Sequence, residues 1–505
     1  MKALALVLLA ALSGLLATVA LPAYCQHWLA WIALVPLLYA LRRTSVRMAA
    51  VLGFAFGAAL GGASFFWVLG IADLKARHFA LMVVVFSLYY TAFGALYALA
   101  NRRLGAWLIL IAPALWVACE YARGNFFFLA YPWNFLAHSQ HENLAVIQIA
   151  DITGAYGVSF VLVAVNELLS ELIDRERVAH WRLPAAVTAV LLGTTLVYGW
   201  HALAVDPPFG GKLRVAIVQA DVTSRNGMSL PEQMRHLAAY AELTRQAAAR
   251  KPQLIVWPSS SLPGPLSYWM IGLMVSDIAG RAGAPLLVGG AGGDKFAAAR
   301  EGERTFSNSE FLMSAAGTMQ ARYDKVRLTP FNEEVPLEDI VHWPGWLTRV
   351  QKGFVRGDAY TVFRVGEARF GSPICWENAF PDVFRRFVAG GANFMVSVTN
   401  EAVFGASSGP YQTVAMNVFR AVENRVTVAR AATTGVSAFI DARGRILERV
   451  VDAAGNDLYV RGLLVRDVAL AEGTTFYTRH GDAFAIAVAA AALLAIGVAA
   501  WKRPA

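Results

Sequence analysis

Two hydrophobic patterns divide the chain into a membrane-type part and a globular part. Up to residue 204, and again near the C-terminus, long apolar runs alternate with short polar loops. A run of about 20 apolar residues is long enough to cross a bilayer as a helix. The pattern predicts eight such helices, over residues 3–20, 28–41, 47–70, 79–100, 105–122, 154–173, 183–204 and 483–501.

The first two apolar runs need separate interpretation. Residues 3–20 also have the composition of a signal peptide, but five further apolar runs follow before residue 175, so we interpret this run as a retained span. Residues 28–41 are short for a hydrocarbon core roughly 30 Å thick. We expect that segment to be tilted or only partly inserted.

Residues 205–480 have a different pattern, in which short apolar strands alternate with helical segments. Helices are predicted over residues 231–250 and from Ala379 onward. Strands are predicted over residues 213–220, 253–257, 285–290, 306–313, 321–325, 360–365, 368–374, 392–399, 426–431 and 437–440. This alternation is typical of a layered α/β domain. The predicted domains are therefore a seven-span membrane domain over 1–204, a globular domain over 205–480 and a last span within 481–505.

Composition and charge support a membrane protein. The chain is 57% hydrophobic and 16% charged, with a mean hydropathy of +0.47, which is too apolar for a soluble protein of this length. The formal net charge is +9, yet no Lys/Arg run of the kind that binds nucleic acid occurs. We therefore expect membrane lipids, and no nucleic acid, among the partners.

The short loops predict the orientation, because cytoplasmic loops of membrane proteins are enriched in Lys and Arg. One set of loops holds only Lys75, Arg77 and Arg123. The opposite set, with the two termini, holds eleven basic residues: Lys2, Arg42, Arg43, Arg47, Arg102, Arg103, Arg175, Arg177, Arg182, Lys502 and Arg503. This asymmetry places both termini in the cytoplasm. In a bacterial inner membrane, residues 205–480 would then lie in the periplasm.

The cysteine and histidine positions argue against a disulfide framework or a metal site. The three cysteines, Cys25, Cys119 and Cys375, are odd in number and widely spaced. His138 and His141 lie in an aromatic external loop without a third ligand nearby in sequence, so interfacial polar contacts are favoured over metal binding.

Three polar segments follow predicted strands and are the candidates for chemistry: WPSSSLPG at 257–264, YDKVRLTPFNEEVP at 323–336 and FGSPICWEN at 370–378. Cys375 falls at a predicted strand-to-helix turn, where a helix dipole would favour the thiolate. A lone cysteine is more often a small buried apolar residue, and a lone lysine is more often a surface charge. The tight, proline-rich and aromatic surroundings of Lys325 favour a functional role over a solvated charge.

The order of these motifs resembles a known superfamily. LRVAIVQADV, LIVWPSSSLPG, YDKVRLTPFNEEVP and SPICWENAFPDVFR are similar to successive motifs of the carbon–nitrogen hydrolase, or nitrilase, superfamily. YPWNFLAHSQ, QIADITGAYGVSFVLVAVN and the eighth span resemble its apolipoprotein N-acyltransferase family. The resemblance covers nearly the whole chain.

The resemblance implies an α-β-β-α sandwich and a two-step acyl transfer. Cys375 would take an acyl chain from a phospholipid, with phosphatidylethanolamine as the expected donor. The thioester would pass that chain to the N-terminal amine of a diacylglyceryl-cysteine apolipoprotein. The catalytic lysine matches Lys325, its supporting glutamate matches Glu333, and the glutamate after the cysteine motif matches Glu377. The chemistry requires no metal or organic cofactor.

The chain departs from the family pattern at the general base. The family has a glutamate directly after the WP of the second motif, where this chain has Ser259. A serine hydroxyl cannot act as a carboxylate base, and a general base contributes roughly 10²–10⁴-fold to a rate. Three interpretations follow: a weak or inactive relative that still binds lipid, a substituted residue introduced to trap a state, or a base role for Glu333, Glu334 or Glu377.

Smaller departures concern the segment TNEAVFG and the position after the nucleophile. Glu401 and Val403 stand where aspartate and tryptophan are usual, and Trp376 stands where tyrosine is common. Two other functions remain open at this point. One is a lipid- or lipoprotein-binding pseudoenzyme, and the other is a membrane-tethered amidase, which would have no need of eight spans.

Overall fold

The computed structural model describes residues 2–72, 74–174, 181–224, 227–293, 306–348 and 354–501. These residues form two compact units. The first unit comprises residues 1–206, 407–423 and 475–505, and the second comprises 207–406 and 424–474. Arg175, Arg177, Lys502 and Arg503, which contribute to the predicted orientation, lie outside the described residues.

The first unit is helical. Its first nine helices span Lys2–Ala20 (α1), Val35–Arg42 (α2), Val46–Ser64 (α3), Ala76–Leu104 (α4), Leu108–Asn125 (α5), Leu144–Ile147 (α6), Ala150–Thr153 (α7), Ala155–Ile173 (α8) and Arg182–Ala204 (α9). Among the described residues, five helices are long and apolar enough to cross a membrane: α1, α3, α4, α8 and α9. The prediction of a multi-span membrane domain is confirmed at these five. The other three predicted spans correspond to shorter or less apolar helices, so the count of eight stays a prediction.

A buried ion pair joins three helices of this unit. The guanidinium of Arg42 at the end of α2 pairs with the carboxylate of Glu167 on α8. The hydroxyl of Tyr97 on α4 lies 2.9 Å from Arg42 Nε and 3.0 Å from Glu167 Oε2. Charged side chains are costly among apolar helices unless they are paired. This pairing therefore holds α2, α4 and α8 in one arrangement.

The second unit contains two six-stranded sheets. The first has the order β12-β1-β2-β3-β4-β5 and the second the order β11-β10-β9-β8-β7-β6. The strands are Phe209–Gln219 (β1), Leu254–Val256 (β2), Leu286–Gly292 (β3), Ser307–Met313 (β4), Met319–Asp324 (β5), Phe363–Val365 (β6), Ala368–Gly371 (β7), Phe394–Thr399 (β8), Val428–Ala432 (β9), Ala438–Ile440 (β10), Ile446–Arg449 (β11) and Gly462–Ala471 (β12). The strands β11 and β12 were absent from the sequence-based prediction.

The two sheets are the inner layers of the unit. The outer face of the first sheet, with Val288 and Phe311, packs against helices Leu230–Ala248 (α10) and Trp269–Ala282 (α11). Strands β1 and β12 pack against β9 and β8 of the second sheet. Helix Pro381–Ala389 (α12) packs on β7. This layered, nitrilase-like α/β domain confirms the predicted fold class.

Three further helices lie in the described part of the chain: Gly409–Asn424 (α13), Phe476–His480 (α14) and Ala483–Trp501 (α15). Nearly all of α13 belongs to the first unit, although the segments on either side belong to the second. Within the first unit, Gln412 on α13 accepts hydrogen bonds from the indole N–H groups of Trp67 and Trp133, at 3.2 and 2.8 Å. Those two indoles belong to the membrane-type helical part, so α13 is bound to it by side-chain contacts.

Candidate active site

Cys375 begins a single 3-10 turn, Cys375–Ala379, after strand β7. Its backbone has φ of 50°, a left-handed conformation that is strained for a residue with a Cβ. The next α-helix begins only at Pro381. A helix dipole acts within about one turn of the helix end. Cys375 thus lies between β7 and a helix, as the sequence predicts, six residues before the α-helix begins, and an effect of the helix dipole on its thiol stays a prediction.

Lys325 and Glu333 form a buried ion pair. Lys325 follows β5, and its Nζ lies 2.6 Å from Glu333 Oε2. The side chains are 1% and 8% exposed, so water screens the pair little. Glu333 also accepts hydrogen bonds from Asn308 Nδ2 at 3.0 Å and from the backbone N–H of Thr329 at 2.8 Å. The carboxylate therefore fixes the lysine and the loop that follows it.

The electrostatics of the pair favour both charged forms. Burial alone would raise the pKa of Glu333, but Lys325 and the hydrogen bonds of Asn308 and Thr329 outweigh it, and the pKa lies below its ordinary value. Burial alone would lower the pKa of Lys325, but the charges of Glu333 and then Cys375 raise it above its ordinary value. The pair therefore keeps Lys325 as an ammonium and Glu333 as a carboxylate.

Glu377 anchors the turn that begins at Cys375. Its side chain is completely buried. It accepts hydrogen bonds from the backbone N–H groups of Ile374, Val326 and Arg327, at 2.8, 2.9 and 2.9 Å. The hydroxyl of Tyr323 lies 2.9 Å from both of its oxygens. Glu377 therefore joins the Cys375 turn to the segment that carries Lys325.

The three carboxylates that the sequence offered as substitute bases are all engaged. Glu377 accepts four donors, Glu333 is paired with Lys325, and Glu334 is paired with Arg356 at 2.5 Å near the surface. Ser259 is buried, and within the described part of the chain its hydroxyl has no hydrogen-bond partner. Ser259 therefore supplies no carboxylate at the position where the family resemblance implies a glutamate.

A fourth glutamate, Glu310, lies beside Ser259 and belongs to none of the three motif segments. Glu310 is in the middle of β4 and is fully buried. It is the lone acidic residue in SNSEFLM, where an inward-facing position should be apolar. A charged residue at a core position of a strand was the signal that could have revealed it.

The departure at Glu401 has a structural explanation. Glu401 pairs with Arg430 on β9, and both side chains are fully buried. Arg430 also donates from Nε to the carbonyl of Val436 at 3.0 Å. Arg430 therefore links the loop that carries Glu401 to the loop that follows β9.

Comparison with known proteins identifies the family of the chain. Residues 13–168 match the family model described as apolipoprotein N-acyltransferase N-terminal domain, and residues 214–476 match the model described as carbon–nitrogen hydrolase. The chain is 35% identical to the apolipoprotein N-acyltransferase of Geobacter metallireducens, with 98% of this chain and 95% of the relative covered. It is 30% identical to that of Chlorobaculum tepidum, with 97% and 96% covered.

Solved structures of the superfamily are more distant. A cysteine-to-alanine mutant of the Nesterenkonia AN1 amidase is 19% identical, with 54% of this chain and 95% of that chain covered and a TM-score of 0.39. Nit3 of Saccharomyces cerevisiae is 17% identical, with 52% and 91% covered and a TM-score of 0.40.

The layered fold and the match over residues 214–476 define a carbon–nitrogen hydrolase domain in one chain with membrane-type helices. Relatives that match over nearly the entire length identify the branch of that superfamily. The chain belongs to the apolipoprotein N-acyltransferase family. It is thus a transferase-type enzyme of the membrane, and the relatives favour neither the pseudoenzyme nor the amidase alternative.

Proposed function

We propose that this protein transfers a phospholipid acyl chain, through a thioester on Cys375, to the N-terminal amine of a diacylglyceryl-cysteine apolipoprotein. The observation that carries the proposal is the buried ammonium of Lys325, held 2.6 Å from Glu333 in a segment that Glu377 joins to the Cys375 turn. The full-length relatives that are named apolipoprotein N-acyltransferase support the choice of substrate.

In the first step, the sulfur of Cys375 attacks the ester carbonyl carbon of the phospholipid. A new C–S bond forms, the C–O bond to the glycerol breaks, and a lysophospholipid leaves. A thiol has a pKa of roughly 8.5, so attack requires a neighbouring positive charge or a base. Lys325 supplies the positive charge, and its ammonium can also stabilise the oxyanion of the tetrahedral intermediate.

In the second step, the neutral N-terminal amine of the apolipoprotein attacks the thioester. The C–N bond of the amide forms, the C–S bond breaks, and the thiol of Cys375 is regenerated. Glu333 keeps Lys325 charged and oriented through both steps, since it shares Oε2 between the ammonium and the backbone N–H of Thr329. Glu377 positions the Cys375 turn.

We further propose phosphatidylethanolamine as the donor and the bacterial inner membrane as the location, with residues 205–480 in the periplasm. The charge asymmetry of the short loops supports this orientation. A lipid donor also accords with the five helices, counted within the described ranges, that are long and apolar enough to cross the bilayer in which the donor resides.

The test uses the full-length protein in detergent micelles with phosphatidylethanolamine and a synthetic diacylglyceryl-cysteine peptide. The peptide should gain the mass of one acyl chain on its amine, and it should gain nothing with Cys375→Ser. Matched micelles of phosphatidylglycerol test the headgroup. Peptide acylation that persists in Cys375→Ser would overturn the proposed role of the cysteine.

A further inference from the structure

A buried carboxyl group without a partner lies next to the position where the base is missing. Glu310 is 0% exposed, and neither of its carboxylate oxygens has a hydrogen-bond partner in the described ranges. Leaving a buried polar group unsatisfied costs free energy. Such a group is therefore a strong candidate for a functional role.

The strand register places Glu310 on the face of the sheet that carries the active site. Glu310 stands opposite Tyr323 on β5, so the two side chains share a face. Tyr323 reaches Glu377 at the Cys375 turn. Asn308, two residues before Glu310 on the same face, reaches Glu333 at 3.0 Å. Glu310 is thus flanked by side chains that contact the catalytic loops, while its neighbour Phe311 faces the outer helices.

Glycine at position 289 makes room for the Glu310 carboxylate beside Ser259. Gly289 on β3 is the register partner of Glu310. A Cβ on Gly289 would collide with Glu310 Oε1, and the same point lies 2.7 Å from Ser259 Cα and 3.0 Å from the carbonyl oxygen of Pro258. The carboxylate therefore lies against the backbone from which the family's glutamate would project.

We infer that Glu310 is the general base of this enzyme, supplied from strand β4 in place of the glutamate that Ser259 replaces. The inference rests on the proposed acyl transfer and adds a residue to it. In the first step Glu310 accepts the proton of the Cys375 thiol while sulfur bonds to the acyl carbon. It then gives that proton to the departing glycerol oxygen.

In the second step Glu310 accepts a proton from the attacking amine and returns it to the Cys375 sulfur as the C–S bond breaks. Each step leaves the carboxylate as it began, so no further reactant is needed. Burial raises the pKa of Glu310 well above its ordinary value. A carboxylate of raised pKa is better matched to accepting and returning a proton near neutral pH.

The first test compares Glu310→Gln with Glu242→Gln, a control on the exposed face of α10. The rate of thioester formation on Cys375 should fall by roughly 10²–10⁴-fold in Glu310→Gln and stay unchanged in the control. Glu310→Leu should lose the same activity but melt about 2–4 °C higher, because an unpaired buried carboxyl is removed. A variant that loses activity but gains stability would indicate a catalytic role for Glu310, because removal of a structural residue would lower stability.

The second test moves the carboxylate from position 310 to position 259. Ser259→Glu alone should lower turnover, because two carboxyl groups would then compete for one pocket. The double variant Ser259→Glu with Glu310→Ile should recover activity relative to either single variant. Recovery would support a relocated base. Full activity in Ser259→Glu alone, or no recovery in the double variant, would overturn it.

A measurement that needs no lipid distinguishes failure of the base assignment from failure of the proposed function. The alkylation rate of Cys375 with iodoacetamide, followed by peptide mass from pH 6 to pH 10, reports thiol activation in the full-length protein. Glu310→Gln should slow alkylation near neutral pH and much less near pH 10. If alkylation slows but the unmodified enzyme never acylates peptide, the proposed function fails and the base assignment stands. Unchanged alkylation and unchanged acylation in Glu310→Gln would overturn the base assignment.

Discussion

The hydroxyl oxygen of Tyr323 lies 2.9 Å from both carboxylate oxygens of Glu377. This contact ties strand β5, which leads directly into Lys325, to the turn that begins at Cys375. The backbone N–H groups of Val326 and Arg327 reinforce it by donating to the same carboxylate at 2.9 Å. The segment that carries Lys325 and the turn that begins at Cys375 are therefore joined by a buried junction.

Tyr323→Phe tests this junction. A hydrogen bond to a charged group contributes about 1.5–3 kcal/mol, so the free energy of unfolding should fall by about that amount. We expect kcat for acyl transfer to fall while KM changes little, because the catalytic groups are displaced and the lipid surface is not. Thermal unfolding in detergent and steady-state kinetics measure the two effects.

Tyr459→Phe, at a tyrosine that is 45% exposed, is the control. A loss of stability with unchanged kcat would show that Tyr323 is only structural.

Substitutions at Lys325 and Glu333 should have non-additive effects on the free energy of unfolding. Lys325→Met leaves the buried Glu333 carboxylate without its partner, a change that typically costs 3–5 kcal/mol. Adding Glu333→Gln should restore part of that stability but none of the acyl transfer, since the ammonium remains absent. A double-mutant cycle on the free energy of unfolding measures the coupling. Additive effects of the two substitutions would contradict the buried pair.

The pair also predicts a pH window of stability. Because the pKa of Glu333 is lowered in the fold, its contribution is present above the unfolded pKa of about 4.3 and is lost as pH falls through the folded value. Because the pKa of Lys325 is raised, its contribution is present below about 10.4 and is lost as pH rises through the folded value. The Tm difference between the parent protein and Glu333→Gln should therefore be largest between about pH 5 and pH 10. An equal difference at pH 3.5 would contradict this account.

The carboxyl group of Glu310 should lower the stability of the protein as pH rises, whereas the carboxylate of Glu333 raises it. Its raised pKa means that the folded state binds its proton more tightly than the unfolded state, so the parent loses stability as pH rises above about 4.3 toward the folded value. The Tm advantage of Glu310→Leu over the parent should accordingly be small near pH 4 and grow toward neutral pH. Melting curves of the two proteins across that range provide the measurement. A constant advantage would mean that Glu310 is not a buried ionisable group.

Much of the globular domain could be predicted from the sequence, because its buried strands are continuous apolar runs. Strands such as β8, which is buried at all six positions, stand out in this way. Strand β12 was missed because its burial is irregular over its ten residues. Its position beside β1 depends on pairing between residues more than 240 positions apart, as in Gln219 with Gly462.

Only those residues of the candidate site that belong to recognisable motifs could be predicted from the sequence. Cys375, Lys325 and Glu333 came from motif resemblance, and the structure places the latter two in direct contact. Glu310 could not be assigned a role in this way, because its proximity to Ser259 follows from strand register and from the missing Cβ of Gly289. The lone acidic residue in SNSEFLM marks Glu310 in the sequence, but its proximity to Ser259 leaves no local pattern there.

The central claim is that Cys375 carries the acyl chain, and the mass of the intact protein tests it most directly. The purified full-length protein is incubated with phosphatidylethanolamine alone, beside Cys375→Ala, and weighed before and after hydroxylamine. The account predicts a gain of one acyl chain on the unaltered protein, removed by hydroxylamine and absent from Cys375→Ala. No adduct on the unaltered protein, or an equal adduct on Cys375→Ala, would contradict it.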